Sequence, residues 1–387
     1  MLLPDARPIA LPDTPSGKLA VVAAGGTGGH LFPAQALAQA LVGRGWRVVL
    51  ATDERVQTLS ADFPAERRIA LSAATFKPGD PFGMVKAGLA ILKGVSQARA
   101  ELKALNPSIV VGFGGYPSLP ALLAAISQGR RTLIHEQNAV MGRANRLLAP
   151  RVTAIACAFP TLQKAPAAVK ARAVVVGNPV RAEIQALYDA PYAAPTDTFQ
   201  LLVTGGSQGA RLLSQGVPRA IALLPEAHRR RLKVQQQTRA ENLEAARETY
   251  AAAGVTAETA PFFTDMAARL GSAHLVIGRA GASTVCEIAV AGRPAILVPL
   301  KIALDDDQGQ NARLLAEAGA AEVLREGAVT DASLAALLQS LMDDPARLAA
   351  MAAAAHGVGK PDAADRLADV VERVGGALPI KTAPPVG

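Results

Sequence analysis

Cysteine is scarce: Cys157 and Cys286 are the only two in 387 residues. They lie far apart and match no metal-ligand spacing. That excludes a disulfide-stapled fold and a zinc module, and it fits a reducing compartment in which both thiols are small core residues. Aromatic residues make up 4% against 50% hydrophobic residues overall, so the apolar mass is mostly Ala, Leu and Val. Such side chains suit helices packed closely on parallel strands. No run of about 18 uninterrupted apolar residues exists. The best stretch, 285–304, is broken by Glu287, Arg293, Pro294 and Pro299, which argues against a membrane-spanning helix. Residues 1–17 carry Pro4, Pro8, Pro12 and Pro15 and no signal-peptide core, and read as a flexible extension. The phosphate loop G-x-x-x-x-G-K-[ST] is missing, which excludes a P-loop ATPase.

What is present is basic. Lys and Arg number 40 against 32 Asp and Glu, a net charge of +8. That balance favours phosphates, nucleic acid or an acidic membrane surface without choosing among them. Nucleic acid has only the charge in its favour, because no basic stripe is interleaved with aromatics.

The length suits two domains. Strand-like runs at 19–23, 47–51, 109–112, 132–135, 152–156 and 173–176 alternate with helical stretches. A second set follows at 201–204, 232–235, 275–277, 295–298 and 322–324. The alternation predicts parallel sheets wrapped by helices. The pattern also restarts, because a strand runs into Gly25-Gly26-Thr27-Gly28-Gly29 and another into Gly205-Gly206-Ser207-Gln208-Gly209. Between the halves, 177–198 hold Pro179, Pro191 and Pro195 among polar residues, a linker pattern. The expectation is an α/β protein of two doubly wound, Rossmann-like domains facing across a cleft. The extension covers 1–17, the first domain 18–178 and the second 179–362, and a C-terminal helix in 363–387 returns to the first.

Glycines after a strand bring backbone N–H groups close to a ligand, and the helix that follows adds orphan donors and partial positive charge suited to a diphosphate. Pro33, Leu37 and Leu41 predict a helix starting near His30. A dinucleotide fingerprint is incomplete, since the position of its third glycine holds Leu31, although Asp53 sits near the end of the second strand as a ribose-binding acid would. One glycine turn is weak evidence and often means only tight packing. Two at equivalent places are stronger.

Six segments resemble those of the MurG family, in that family's order and across roughly residues 18–370: GGTGGH (25–30), GFGGYPS (112–118), HEQN (135–138), GNPVR (177–181), GGSQGAR (205–211) and AGASTVCEIAVAGRP (280–294). The resemblance implies a GT-B fold and an inverting transfer of N-acetylglucosamine (GlcNAc) from UDP-GlcNAc. The acceptor it implies is the muramoyl sugar of undecaprenyl-diphosphate-linked MurNAc-pentapeptide, so that lipid I becomes lipid II in peptidoglycan synthesis. It implies no metal and no other cofactor, and a peripheral place on the cytoplasmic face of the bacterial plasma membrane. The partners implied are UDP-GlcNAc, lipid I, an anionic membrane surface and cell-wall synthesis or division proteins.

By the same resemblance Glu287 accepts both ribose hydroxyls, a task suited to an ionised carboxylate. Ser207 donates to the donor diphosphate, Arg181 neutralises charge nearby, and Gln308 and Asn138 bond the sugar hydroxyls. Ala282, Ser283 and Thr284 line a helix N-terminus where phosphate or sugar lies, and Thr27, Gly28 and Gly29 also approach UDP-GlcNAc. Phe263 aligns with a position whose backbone reads uracil and which is often aliphatic in the family. Gly26, Thr27, Gly28, Gly29, Gly114, Gly115 and Tyr116 hold the acceptor diphosphate. His30 is the candidate general base, its alternative being to position phosphate or start the helix. His135 is the second candidate base, its alternative being structural. One departure stands out: Asp305, Asp306 and Asp307 precede Gln308 where the family often has a basic residue. They form either a solvated acidic loop or a Mg²⁺ site.

Residues 75–103 combine Phe76, Phe82, Met84 and Leu89 with Lys86 and Lys93. Apolar residues flanked by lysines can enter a headgroup layer, and the other reading is a core helix with solvated lysines. Two functional alternatives remain: a related enzyme such as a UDP-GlcNAc 2-epimerase, which needs no lipid acceptor, and a non-catalytic sugar-nucleotide-binding subunit.

Overall fold

The computed structural model describes residues 18–25, 28–53, 62–74, 81–206, 210–300 and 305–376. The extension 1–17 and the end of the C-terminal segment, 377–387, lie outside them. The chain divides into two compact units. The first takes Met1–Gln137, Met141–Pro179 and Ala363–Gly387, and the second takes Asn138–Val140 and Val180–Asp362.

The first unit is a seven-stranded parallel sheet of β1 (Leu19–Ala23), β2 (Arg47–Thr52), β3 (Arg67–Ala70), β4 (Ile109–Gly112), β5 (Thr132–Glu136), β6 (Ala154–Cys157) and β7 (Ala173–Val175). Their order is β3-β2-β1-β4-β5-β6-β7. Successive side chains of a strand point to opposite faces, and here both faces are covered. Val21, Val49 and Val110 face helices α2 (Pro81–Leu105) and α3 (Gly115–Ser127). Val22, Leu50 and Val111 face α1 (Gly28–Gly43) and a C-terminal helix, Ala363–Gly375. Two buried faces explain why these strands read as continuous apolar runs. Helix α1 begins at Gly28, two residues before His30, so Pro33 sits in its second turn rather than its first.

The second unit repeats the plan with β8 (Phe199–Thr204), β9 (Leu232–Gln237), β10 (Thr256–Ala260), β11 (Leu275–Gly278), β12 (Ala295–Leu297) and β13 (Ala321–Val323). All are parallel, in the order β10-β9-β8-β11-β12-β13. Its helices include α4 (Arg211–Ala222), α5 (Ala282–Ala291) and α6 (Asp307–Glu317).

In each sheet the order reverses beside its first strand, between β1 and β4 and between β8 and β11. Open α/β sheets bind ligands outside the carboxyl ends of the strands at such a switch point. Four of the six resembling segments lie there: GGTGGH after β1, GFGGYPS from the end of β4, GGSQGAR after β8, and AGASTVCEIAVAGRP after β11. Among the described residues no helix is long and apolar enough to cross a membrane.

Candidate active site

In the first unit the two glycine turns meet at His30. A Cβ added to Gly114 would stand 3.7 Å from His30 Cδ2, and one added to Gly115 would stand 3.7 Å from His30 Cε1. The imidazole therefore packs on the turn that opens α3. That turn needs glycine, because φ is +81° at Gly114 and +72° at Gly115, a region costly for L side chains. Gly28 and Gly29 stand with His30 in the first turn of α1, and Tyr116 follows Gly115, half-buried. Burial lowers the His30 pKa below its ordinary 6.5, so the ring is neutral near pH 7 and able to take a proton.

Behind the turn lies a carboxylate that sequence reasoning passed over. Buried Glu136 accepts through Oε2 from Asn145 Nδ2 at 2.8 Å and from the Gly142 N–H at 2.9 Å. Asn145 Nδ2 lies 3.2 Å from where a Gly114 Cβ would be. Glu136 stood inside the HEQN segment, which was its only signal, and Asn145 had none.

His135, the second candidate base, is wholly buried on β5. Its Nε2 donates to the Gly177 carbonyl at 3.0 Å, and its ring lies tilted 5.3 Å from Phe113. Burial pushes its pKa down to about 4, with the Gly177 bond opposing. An imidazole with no exposed edge, committed to a backbone carbonyl, ties the GNPVR turn to the sheet. This arrangement suits the structural alternative for His135, and His30 is the base candidate that lies against the glycine turns.

In the second unit Arg181 and Glu287 come together, with Nη2 3.5 Å from Oε1, while Arg181 Nη1 lies 3.5 Å from Glu183. The Glu287 side chain is 17% exposed, near enough to solvent for a ligand to reach it. Burial raises its pKa and the Arg181 charge opposes that shift. Ala282, Ser283 and Thr284 form the first turn of α5, one turn before Glu287, and no side chain caps this helix at Gly281. Its first N–H groups therefore suit an anion.

Phe263 is buried beneath a guanidinium, with Arg269 Cζ 3.8 Å from the ring centroid. Arg269 is held in turn by both oxygens of Glu258 and by Asp265. The aromatic side chain is thus occupied in packing, which suits a position expected to act through its backbone. Gln308 Oε1 accepts from the Leu300 N–H at 3.0 Å, fixing the amide and leaving its N–H pair to donate. Asn138 accepts from Asn311 Nδ2 at 3.0 Å, and Asn311 also donates to Ala280 O at 3.2 Å and accepts from the Ala139 N–H at 2.9 Å. Fully buried Asn311, which carried no sequence signal, links Asn138 to the turn before α5. Gly26, Thr27, Ser207 and Phe76 lie outside the described residues.

Residues 20–157 match the glycosyltransferase family 28 N-terminal domain and residues 200–367 its C-terminal domain. The chain is 66% identical over 358 residues to the UDP-N-acetylglucosamine–N-acetylmuramyl-(pentapeptide) pyrophosphoryl-undecaprenol N-acetylglucosamine transferase of Phenylobacterium zucineum, covering 92% of this chain and 98% of that one. It is 64% identical to the like-named protein of Caulobacter vibrioides, over 92% of this chain and 99% of that one. The crystal structure of Acinetobacter baumannii MurG matches with a TM-score of 0.74 and 33% identity, over 92% of this chain and 99% of that one. The chain belongs to the MurG family.

Two parts of this MurG-family chain had been left open. Helix α2 carries two apolar stripes. Ala87, Ile91, Gly94 and Ala98 are buried, whereas Phe82, Val85, Leu89 and Leu92 are exposed, Phe82 to 89%. Met84, Lys86 and Lys93 are exposed beside them. Ile91 thus belongs to the core, and the outward stripe has no partner among the described residues. The acidic run before Gln308 is used internally: Asp306 accepts from Arg325 Nη1 at 2.8 Å, and Asp307 Oδ1 accepts from the Gln308 N–H at 2.9 Å. Among the described residues no group of three or more His, Cys, Asp or Glu side chains could hold a metal ion.

Proposed function

We infer that this chain is an inverting glycosyltransferase that moves GlcNAc from UDP-GlcNAc to the muramoyl sugar of undecaprenyl-diphosphate-linked MurNAc-pentapeptide, turning lipid I into lipid II for peptidoglycan synthesis. The observation that carries this reading is 66% identity, over nearly the whole of both chains, to a transferase of that name. Glu287 receives the ribose hydroxyls, steadied by Arg181. The first turn of α5, with Ser207, receives the diphosphate, and Gln308 and Asn138 receive the sugar. On the first unit Gly28, Gly29, Gly114 and Gly115 hold the acceptor diphosphate, and neutral His30 takes the proton of the attacking hydroxyl.

The reaction logic follows from charge. As the acceptor oxygen bonds to the anomeric carbon, the sugar–phosphate bond breaks and negative charge grows on UDP. Preformed N–H donors stabilise that charge as it develops. No metal is needed in this scheme, because the helix N-terminus and Arg181 supply the positive field. The enzyme works at the cytoplasmic face of the plasma membrane as a peripheral protein, docks through the outward stripe of α2, and meets cell-wall synthesis or division proteins there.

The test is transfer of labelled GlcNAc from UDP-GlcNAc to a short-chain lipid I analogue, with and without EDTA. The reading expects one labelled disaccharide-lipid product in both arms. Release of free sugar alone, or a 2-epimerised nucleotide sugar, contradicts the function. Loss of transfer with EDTA contradicts only the metal-free scheme.

A further inference from the structure

Arg325 and Glu326 belong to no segment that the sequence singled out, yet they reach both helices that carry donor contacts. Glu326 Oε1 accepts from Arg279 Nη2 at 2.9 Å, and Arg279 Nη1 donates to Val298 O at 3.0 Å. Arg279 is buried in the turn between β11 and α5, three residues before Ala282. On its other side Arg325 bonds the carboxylate of Asp306, two residues before Gln308. Asp306 holds a left-handed conformation, φ 51° and ψ 34°, at the N-cap of α6. A Cβ at Gly309 would collide with both the Asp306 carboxylate and the Arg325 guanidinium. With glycine there, the pair closes over the first turn of the helix without having to shift. The same two residues, with Pro299 and Leu300, line a cavity of about 370 Å3, and Leu300 is the residue to which Gln308 is bonded. Two neighbours in the chain thus staple the turn before α5 to the turn before α6.

We propose that Arg325 and Glu326 are positioning residues for the donor: Arg325 sets Gln308 against the sugar, Glu326 sets the Arg279 turn against the diphosphate, and their adjacency keeps the two contacts in register. This rests on the donor assignment made above. The two halves of the staple predict different kinetic signatures. Arg325→Ala raises KM for UDP-GlcNAc by about three- to tenfold, the range of one lost hydrogen bond. Its Ki for UDP, which lacks the sugar, stays within about twofold of wild type. Arg325→Lys, which keeps the charge, recovers most of the loss. Glu326→Ala raises both constants together, and Glu326→Gln, which keeps an acceptor for Arg279, raises them less.

The experiment is steady-state kinetics of these four variants with UDP as product inhibitor, alongside melting temperatures. An Arg325→Ala enzyme of unchanged KM, or one whose KM, Ki and melting temperature worsen together, overturns the proposal while wild-type transfer still stands. A wild-type protein that neither turns over UDP-GlcNAc nor binds UDP removes the donor reading itself, and the proposal with it.

Discussion

His30 is held against Gly114 and Gly115 with its pKa lowered by burial, so its basic form persists below pH 6.5. The acid limb of kcat/KM should therefore fall below that pH, as the ring takes up a proton. His30→Ala should lower kcat by about 10²–10⁴, the usual cost of losing a general base. UDP affinity should be nearly intact, since the contacts proposed for the uridine, ribose and diphosphate of UDP are on the second unit. A variant of normal kcat retires the assignment.

Glu287 behaves in the opposite sense. Its raised pKa means that the carboxylate is lost at a higher pH than an ordinary glutamate, so UDP binding should weaken as pH falls towards that value. Arg181→Met removes the opposing charge and should move the weakening to still higher pH. Glu287→Gln should cost about ten- to a hundredfold in UDP affinity at pH 7, the range for a charged hydrogen bond. Titration calorimetry across pH checks both, and a pH-independent affinity contradicts them. The sequence brought the glycine turns, Arg181 and Glu287 forward as candidates because they sit in short motifs. Glu136, Asn145, Asn311 and Arg325 were not brought forward, because each meets the candidate residues or their turns only through contacts that the fold makes.

At the scale of elements, the C-terminal helix Ala363–Gly375 completes one face of the first unit. Leu367, Val370, Val371 and Val374 are buried there. Arg44 pairs with Asp365, Asp369 and Glu372, and Trp46 Nε1 donates to Glu372 at 3.1 Å. Four buried aliphatic side chains at about 1.5–3 kcal/mol each make an upper limit of roughly 6–12 kcal/mol. That rivals the whole stability of a typical domain, about 5–15 kcal/mol. A chain ending at Asp362 should therefore yield an unfolded first unit, seen as lost near-UV dichroism and aggregation, and a soluble, cooperatively melting product contradicts this. Among the described residues, eleven strands announced themselves as apolar runs. The two that did not, β3 and β10, occupy the same edge in their sheets. Their sequences RRIA and TAETA bury only one side chain each, so neither shows a continuous run or clean alternation.

At the scale of the molecule, the proposed docking on a membrane draws on the outward stripe of α2, and the net charge of +8 is compatible with it. Lysines near an anionic surface contribute about 1 kcal/mol each, and inserting Phe82 or Leu89 adds about 1.5–3 kcal/mol. Phe82→Ser with Leu89→Ser should reduce binding to phosphatidylglycerol vesicles by at least tenfold while leaving turnover of a water-soluble acceptor unchanged. Equal sedimentation of variant and wild type contradicts docking through this stripe. Each of the two sheets has helix N-termini at its switch point, and the central claim of the proposed function is that the second unit takes the donor. A crystal structure with bound UDP tests it most directly. The account predicts the ribose on the Glu287 carboxylate and the diphosphate at the first turn of α5. Uridine diphosphate resting on the His30 turn of the first unit contradicts it.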